Sequence, residues 1–581
     1  MPFVTKEVYE KLENQKKAEE INWEIANTCR RIGIPTHEIF PLVPYLLYKA
    51  SSQADPSNVS IQTIMSGVIE TNEEIMLLVR EVLNNKLWEC LLQMLKKYST
   101  EEFALAVLKP LPDLEPKLEV STPSSIIKLS NKLLNVKAGE NVADVCCGSG
   151  SYIVSAAMEE PEAIYQGYEL NVVNKTAAMI RAELLNSHID ISLCDVFSVA
   201  DVKKMSKYDK IFANYPFGLK LRYLGAGMEY LKKLVEQYPG ISKATSSDWI
   251  FNSLIFDMLK DNGKAVAIMT NGSTWNSIDI PMRKYFVENG LVECVIALPE
   301  RMFSSTMIPT TLIVMSHGNQ GVRMIDATKH FQQGRRQNEF SDKDIDLIIE
   351  ALTVDHEYSK DISIEELRKN EYNLNLSRYA AGDLRFENGV PFESVIKRIS
   401  RGAPCTAKQL DEMVSDCVTN MQYLMLANIR DGVIDDKLPY LSYIDQKYEK
   451  YCLKNNSLIL SKNGLPYKVA VASVQKNQKI LANGNLYIIE LDEKKANPYY
   501  IKAFFDSEQG YTVLKSITVG AVLPNIGVDK LKKVEIPLPP IEEQNRIAEK
   551  YRATMDEIAV IKLRLEKAVN KLHHIFDEES E

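Results

Sequence analysis

Apolar residues in the first hundred or so positions recur at helical spacing. In "TKEVYEKLENQKKAEEINWEIANTCRRIG" they sit among dense mixed charge, and Gly33 and Pro35 then end the run. "NEEIMLLVREVLNNKLWECLLQMLKKY" repeats the amphipathic pattern. From about residue 120 the period changes. "NVADVC", "AIYQGYEL", "ISLCDVF", "YDKIFANY", "GKAVAIMT", "VECVIALP" and "TTLIVMS" are short β-branched or aromatic runs. Helical patterns fall between several of them: "YIVSAAMEE", "NKTAAMIRAELLNS" and "WIFNSLIFDMLKDNG". Strand and helix in alternation predict a doubly wound α/β sheet. After "FENGV" the chain turns to short strands and turns up to about residue 535, then closes in one long helix. Pro539 and Pro540 suit the start of that helix. Ile547, Tyr551, Thr554, Ile558, Ile561, Leu565, Ala568 and Leu572 follow at alternating four- and three-residue steps, a heptad seam. Such a seam suits pairing with another helix, and equally packing on its own domain.

These changes of texture divide the chain into a helical region 1–115, an α/β domain 116–385, a strand-rich domain 386–538 and a terminal helix 539–581. A length of 581 residues exceeds what one core serves. The balance of 45% hydrophobic and 25% charged residues is that of a globular protein. No segment offers ~18 uncharged apolar residues in a row, so no membrane span is expected. The start, "MPFVTKEVYEKLENQKKAEE", lacks the apolar centre of a signal peptide. Nine cysteines without a C-x-x-C pair fit reduced thiols in a cytoplasm, and argue against a disulfide scaffold or a structural zinc. The net charge of −9 argues weakly against nucleic acid. Local charge says otherwise: Lys447, Lys450, Lys454, Lys462, Lys468, Lys476 and Lys479 share their stretch with one acid, Glu449. That stretch reads as a solvated surface or as a phosphate-contacting one.

Four consecutive predicted strands end in residues suited to a ligand. "ADVCCGSGSY" carries Asp144 and then Gly148-Ser149-Gly150. Glycines at a strand-to-helix turn let backbone approach a ligand closely, and the helix N-terminus favours a polar or anionic group. The spacing is neither a dinucleotide fingerprint nor a nucleoside-triphosphate loop, and alone it describes many tight turns. The second strand ends in "GYEL", with Glu169 where a carboxylate can accept from both hydroxyls of a ribose. The third ends in "CDVF", offering Asp195 and Phe197 to hydrogen-bond and pack an adenine. The fourth ends in "NYPF": Asn214, Tyr215, Pro216 and Phe217 are the parts of a site for a flat, amino-bearing ring. Ligands bind beyond the carboxyl ends of such strands, and four in order outweigh chance.

In this order the motifs resemble those of the S-adenosylmethionine-dependent amino-methyltransferases, and within them the modification subunit of type I restriction-modification systems. "STPSSIIKLSNKLL" resembles the family's segment before the first strand, which implies that Thr122 and Pro123 border the methionine end of the cofactor. "DVCCGSG" is similar to its glycine loop, which implies cofactor contacts from Asp144, Cys147, Gly148 and Gly150, joined by Glu169, Asp195 and Phe197. "MRKYFVENGLVECVIALPERMFSSTMIPTTLIVMS" and "YNLNLSRYA" resemble later family segments, so the likeness covers roughly residues 10–380. It implies a Rossmann-like methyltransferase domain and transfer of a methyl group to adenine N6 in DNA.

An adenine amino lone pair is delocalised into the ring, and the target base must leave the duplex to be reached. The resemblance gives the Asn214 side-chain oxygen and the Tyr215 carbonyl the role of acceptors that localise that lone pair, with Phe217 stacking on the base. In-line displacement at a sulfonium is governed by positioning, and no metal is implied. Tyr215 departs from the family's usual Asn-Pro-Pro-Phe. The carbonyl survives, but the fixed φ of proline is lost, which predicts a less pre-set loop. A non-catalytic DNA-binding relative stays open on that account, and so does an RNA or protein amino-methyltransferase, since related motifs serve those substrates.

The last third resembles one target-recognition half of a type I specificity subunit, an α+β domain. The likeness lies in "NMQYLMLANIRDGVID", "NNSLILSKNG", "NPYYIKAFFDSEQG" and "VGAVLPNIGVDKLKKVEIPLPPIEEQNRIAEKY". It implies double-stranded DNA as partner, with the seven lysines among the phosphate contacts. It also implies a second copy paired through the terminal helix, or a separate specificity or restriction subunit. "PDLEPK" at 112–117 has the letters of a nuclease site, but its acids are too close together for separate strands.

Overall fold

The computed structural model describes residues 4–33, 42–53, 76, 79, 86–109, 122–185, 187–198, 207–219, 227–238, 245–303, 306, 308–334, 337–379, 386, 388–464, 466–519 and 525–578. The nuclease-like stretch 112–117 lies outside the described residues, as does much of the first half of the second amphipathic run. The chain divides into two units, Met1–Leu376 and Ser377–Glu581.

The first unit is built on a nine-stranded sheet. Its strands are β1 (Asn141–Val145), β2 (Ile164–Glu169), β3 (His188–Leu193), β4 (Tyr208–Ala213), β5 (Leu259–Thr270), β6 (Val292–Ala297), β7 (Thr310–Met315), β8 (Gly321–Asp326) and β9 (Ser359–Ser363). They lie in the order β3-β2-β1-β4-β5-β7-β6-β8-β9. The run from β3 to β5 is parallel throughout, and β7 enters antiparallel to both β5 and β6. Strands covered on both faces read as unbroken apolar runs, as "TTLIVM" of β7 does: all six of its residues are buried. Strands β8 and β9 gave no such signal. Arg323 interrupts β8, and its buried guanidinium bonds Asp355 at 2.5 Å and the carbonyl of Ala351 at 2.7 Å.

Helices fill the crossovers. The described ones used below are α1 (Leu12–Ile32), α2 (Leu42–Ser51), α3 (Thr100–Leu108), α4 (Ser124–Leu134), α5 (Ser151–Glu159), α6 (Val172–Ala182) and α7 (Ser247–Asp257). The pattern "WIFNSLIFDMLKDNG" does not stay helical to its glycine. α7 stops at Asp257 and β5 begins at Leu259, which pairs with Tyr208 of β4. Pairing with a buried parallel neighbour outweighs the helical period there. The amino-terminal helices share one apolar core with the sheet layer: Ile21, Tyr45 and Phe103 pack in the same cluster as Ile153, Ile180 and Ile191. A buried Arg181 on α6 ties the layers together. Its Nε donates to the Val107 carbonyl of α3 at 3.0 Å and its Nη1 to the Ser149 carbonyl at 2.8 Å.

The second unit holds two small four-stranded sheets. One is antiparallel, in the order Ile396–Arg401, Leu486–Leu491, Leu458–Ser461, Val469–Val471. The other runs Val414–Ser415, Tyr440–Leu441, Met421–Leu424, Lys479–Ala482, and its last pair is parallel. Helix α8 (Pro498–Phe505) packs under the first turns of α9 (Ile541–Glu578). α9 has 38 residues, about 57 Å at 1.5 Å per residue. Its start is anchored: Gln544 Nε2 donates to the carbonyls of Lys495 and Pro539 at 3.0 and 2.8 Å, and Ala548 is buried. Lys502 of α8 bonds Asp506 at 2.5 Å and the Tyr551 hydroxyl at 2.8 Å. Further along, Ile558, Ile561 and Leu565 are 40%, 55% and 63% exposed, so the seam splits. Its first positions pack on their own unit, and the next three face outward. The side chains of Ala568 and Leu572 lie outside the described residues.

Candidate active site

The strand order reverses between β1 and β4, so the crossovers leave in opposite directions and open a crevice at the carboxyl ends of these two strands. Register fixes what meets there. Val145 pairs with Ala213 across β1 and β4, and with Tyr168 across β1 and β2. The next residues, Cys146, Asn214 and Glu169, therefore form one row along the sheet edge. The row joins the glycine loop to the "NYPF" loop, which are 64 residues apart in the chain if counted from Gly150 to Asn214.

In the glycine loop Gly148 and Gly150 both have left-handed φ, +56° and +82°. A Cβ at Gly150 would sit 3.0 Å from the Ala178 Cβ of α6, whereas one at Gly148 would meet nothing within 4 Å. The loop is thus packed at one glycine and open at the other. The Gly148 amide donates to Glu169 Oε2 at 2.8 Å and the Asn171 amide to Oε1 at 2.7 Å, so Glu169 is aimed by backbone on both oxygens. Asp195 accepts from the Phe197 amide at 3.0 Å. Asp144 is buried, and its Oδ1 has no hydrogen-bond partner among the described residues. Burial, and then the nearby Glu169 charge, push its carboxyl well above the usual range. Cys147 is buried, with its amide on the Tyr168 carbonyl.

A buried carboxylate without a donor, two neighbouring carboxylates and open space over Gly148 suit a ligand that carries positive charge. S-adenosylmethionine, with its sulfonium and ammonium, fits that donor set. The residues named for it from the sequence come together at one sheet edge, with two qualifications. Thr122, just before α4, accepts at its Oγ1 from Asn214 Nδ2 at 2.9 Å, so it serves the "NYPF" loop directly. Pro123 is the N-cap residue of α4. Phe197 is buried in an aromatic cluster, its ring 4.8 Å from Phe251 and 5.7 Å from Tyr230.

The "NYPF" loop is held at each end. Asn214 is held by Thr122, to which its Nδ2 donates, and Oδ1 is the acceptor end of that amide. Tyr215 turns its side chain into the core, where it is 1% exposed. Its ring lies flat on Phe251 at 4.7 Å and 7°, and its hydroxyl donates to Asn252 Oδ1 at 3.0 Å. A loosened loop was expected where proline is absent; the buried ring supplies a different restraint. Phe217 is half-buried and meets Phe303 edge to face at 5.5 Å.

Sequence reading passed over Cys146 and Leu170. Cys146 takes a left-handed φ of +64° in the middle of the row. Burial and then Glu169, Asp144 and Asp195 push its thiol up. Leu170 follows Glu169 and is 72% exposed, an apolar face at the mouth of the crevice. The signal for both was position alone, one residue past a strand end. Among the described residues no cluster of three or more metal-ligating side chains occurs. No helix among them is long and apolar enough to cross a membrane.

The lysine stretch is a less open surface than its count suggests. Lys454 pairs with Glu490 at 2.6 Å, Lys479 with Glu449 at 2.6 Å and Lys447 with Asp445 at 3.0 Å. Lys468 turns its ammonium onto the carbonyls of Leu426 and Ile429, at 3.0 and 2.7 Å. Folding brings in acceptors that linear charge counting omits. Lys450 lies over the Tyr451 ring. Lys462 and Lys476 have no side-chain partner among the described residues.

Residues 115–387 match the family described as N-6 DNA Methylase, and residues 440–571 match the type I restriction modification DNA specificity domain. The chain is similar to the type I restriction enzyme MjaVIII methylase subunit of Methanocaldococcus jannaschii, 29% identical over 292 residues, which are 45% of this chain and 49% of the relative. It is similar also to the type I restriction enzyme MpnII methylase subunit of Mycoplasma pneumoniae, 22% identical over 296 residues, 46% of this chain and 54% of the relative. The chain thus spans about half the length of the curated relatives it matches. A crystal structure of the type I restriction-modification system methyltransferase subunit from Streptococcus thermophilus aligns with 63% of this chain and 99% of its own, at 18% identity and a TM-score of 0.49.

Proposed function

We propose that this chain, which joins an N-6 DNA methylase domain to a type I restriction modification DNA specificity domain, is a site-specific DNA adenine-N6 methyltransferase that acts in the cytoplasm. The observation that carries the reading is the register at the switch point: Val145 opposite Ala213 sets the glycine loop beside Asn214. S-adenosylmethionine, bound over Gly148 with Asp144, Glu169 and Asp195 around it, would supply a methyl group activated on a sulfonium. Glu169, aimed by two backbone amides, accepts from the ribose hydroxyls with its remaining lone pairs. Leu170 covers the adenine moiety. Asn214 Oδ1 and the Tyr215 carbonyl accept from the exocyclic amino group of an adenine swung out of the duplex. An amide oxygen has two lone pairs, so Asn214 can do this while Thr122 holds its nitrogen. Phe217, braced by Phe303, stacks on the base.

In the second unit, Lys462 and Lys476 contact phosphates. A second copy of the chain pairs with the exposed stretch of α9 at Ile558, Ile561 and Leu565, bringing two recognition domains to one site. The nuclease of such a system would be a separate subunit. Tritium transfer from labelled S-adenosylmethionine tests the main claim. Label is expected in N6-methyladenine of duplex DNA, and Asn214→Ala is expected to abolish it while cofactor binding persists. Label confined to RNA or protein, or no transfer by the wild type with the cofactor bound, rejects the reading.

A further inference from the structure

Tyr215 is a costly residue to bury. Its phenol loses water entirely at 1% exposure, and that loss is offset only if the hydroxyl finds a partner. The partner is Asn252 Oδ1 at 3.0 Å, itself on a fully buried side chain of α7. The neighbouring residue, Phe251, supplies the flat face under the ring, at 4.7 Å and 7°. Ring and hydroxyl are therefore both fixed by adjacent positions of one helix. A tyrosine has only two side-chain torsions, so fixing both ends of it leaves its Cα little freedom. Phe251 also touches Phe197 in the segment after β3, with ring centres 4.8 Å apart, so one helix face braces the loops after two strands of the sheet. None of this is needed for the core alone: an apolar residue at 252 and phenylalanine at 215 would fill the same volume without two buried polar groups.

We propose that Tyr215 and Asn252 form a latch that sets the backbone of residues 214–217, which makes Asn252 a positioning residue for methyl transfer. The inference rests on the function proposed above. A hydrogen bond and a stacked ring do by tertiary contact what a ring-locked φ does covalently. The Tyr215 carbonyl and the Asn214 amide on either side inherit the placement, and displacements near 1 Å in such groups cost about 100-fold in rate.

Three variants separate this from a merely structural role. Tyr215→Phe keeps the ring and removes the hydroxyl. Asn252→Leu removes the acceptor. The double variant removes both, so no buried polar group of the pair is stranded and stability returns toward the wild type. Two readouts are taken: steady-state methylation of duplex DNA, and amide hydrogen exchange of Tyr215, Phe217 and Gly218 with the cofactor bound. All three variants, the stable double included, are expected to lose about 10- to 100-fold in kcat with KM for S-adenosylmethionine within about two-fold. Exchange in the loop should rise at least tenfold while β4 and α7 stay protected. Unchanged loop exchange in the double variant overturns the latch whatever the activity, as does a kcat that recovers when stability recovers. If the wild type does not methylate DNA but loop exchange still rises, the proposed function falls and the latch stands.

Discussion

Replacing the two loop glycines one at a time should produce opposite kinds of damage. Both have left-handed φ, +56° at Gly148 and +82° at Gly150, so alanine at either costs about 1–2 kcal/mol of backbone strain. Gly148 has nothing within 4 Å of the added methyl, so strain is the whole stability cost. At Gly150 the methyl meets the Ala178 Cβ at 3.0 Å and Cα at 3.1 Å. Backbone is on the other side of that contact, so α5 or α6 must shift, adding about 1–3 kcal/mol. Gly150→Ala should thus lose about 2–5 kcal/mol and Gly148→Ala about 1–2. Cofactor affinity should order the other way among folded molecules, because only the Gly148 methyl fills the space over the loop. A tenfold loss, about 1.4 kcal/mol, is the least expected there. Urea titration followed by tryptophan emission reads the first unit alone, since Trp23, Trp88, Trp249 and Trp275 all belong to it. Calorimetry with S-adenosylmethionine reads the affinity. Equal stability losses would refute the close packing at Gly150, and wild-type affinity in Gly148→Ala would refute the placement of the cofactor over Gly148.

Cofactor binding should release a proton. The Asp144 carboxyl is raised by burial and by Glu169, so the stability it contributes is present below its unfolded pKa and lost as pH rises through the folded value. A bound cation favours the charged form, so affinity should increase with pH across that window, and Asp144→Asn should abolish the effect; calorimetry in buffers of different ionisation enthalpy checks it. On non-specific duplex DNA, Lys462→Ala and Lys476→Ala should each lower the salt slope of binding by about 0.9, whereas Lys468→Ala should leave it unchanged because that ammonium is held by carbonyls. Lys502→Met should leave Asp506 without its countercharge and with only the Tyr551 hydroxyl as a side-chain donor, loosening the first turns of α9 with a loss of about 1–3 kcal/mol, seen as faster amide exchange there.

The alternating pattern of the α/β domain was open to direct reading because its central strands are buried on both faces, and burial writes apolar runs into the chain. Edge strand β3 buries only Ile191 of its six residues and was legible from its β-branched residues instead. β8 was not, because Arg323 satisfies its charge through Asp355 and a carbonyl that lie about 30 residues away. The end of α7 was misjudged for a related reason: Leu259 onward fits a helix locally, and only the presence of β4 makes it a strand. Asp144, Gly148, Gly150, Glu169, Asp195 and Asn214 could be named because strand ends and left-handed turns restrict residue type. The order of strands in the sheet decides that they meet.

By itself, then, the sequence determined the kinds of element, the positions of the strand ends and the chemistry waiting at each, since these depend on neighbours a few residues apart. Only the tertiary structure decided that Tyr215 points inward onto Phe251 and Asn252, that Thr122 holds Asn214, and that Lys454, Lys468 and Lys479 are engaged by groups far along the chain. Those outcomes are set by groups that pack together from distant parts of the chain, and no local rule of spacing or charge contains them.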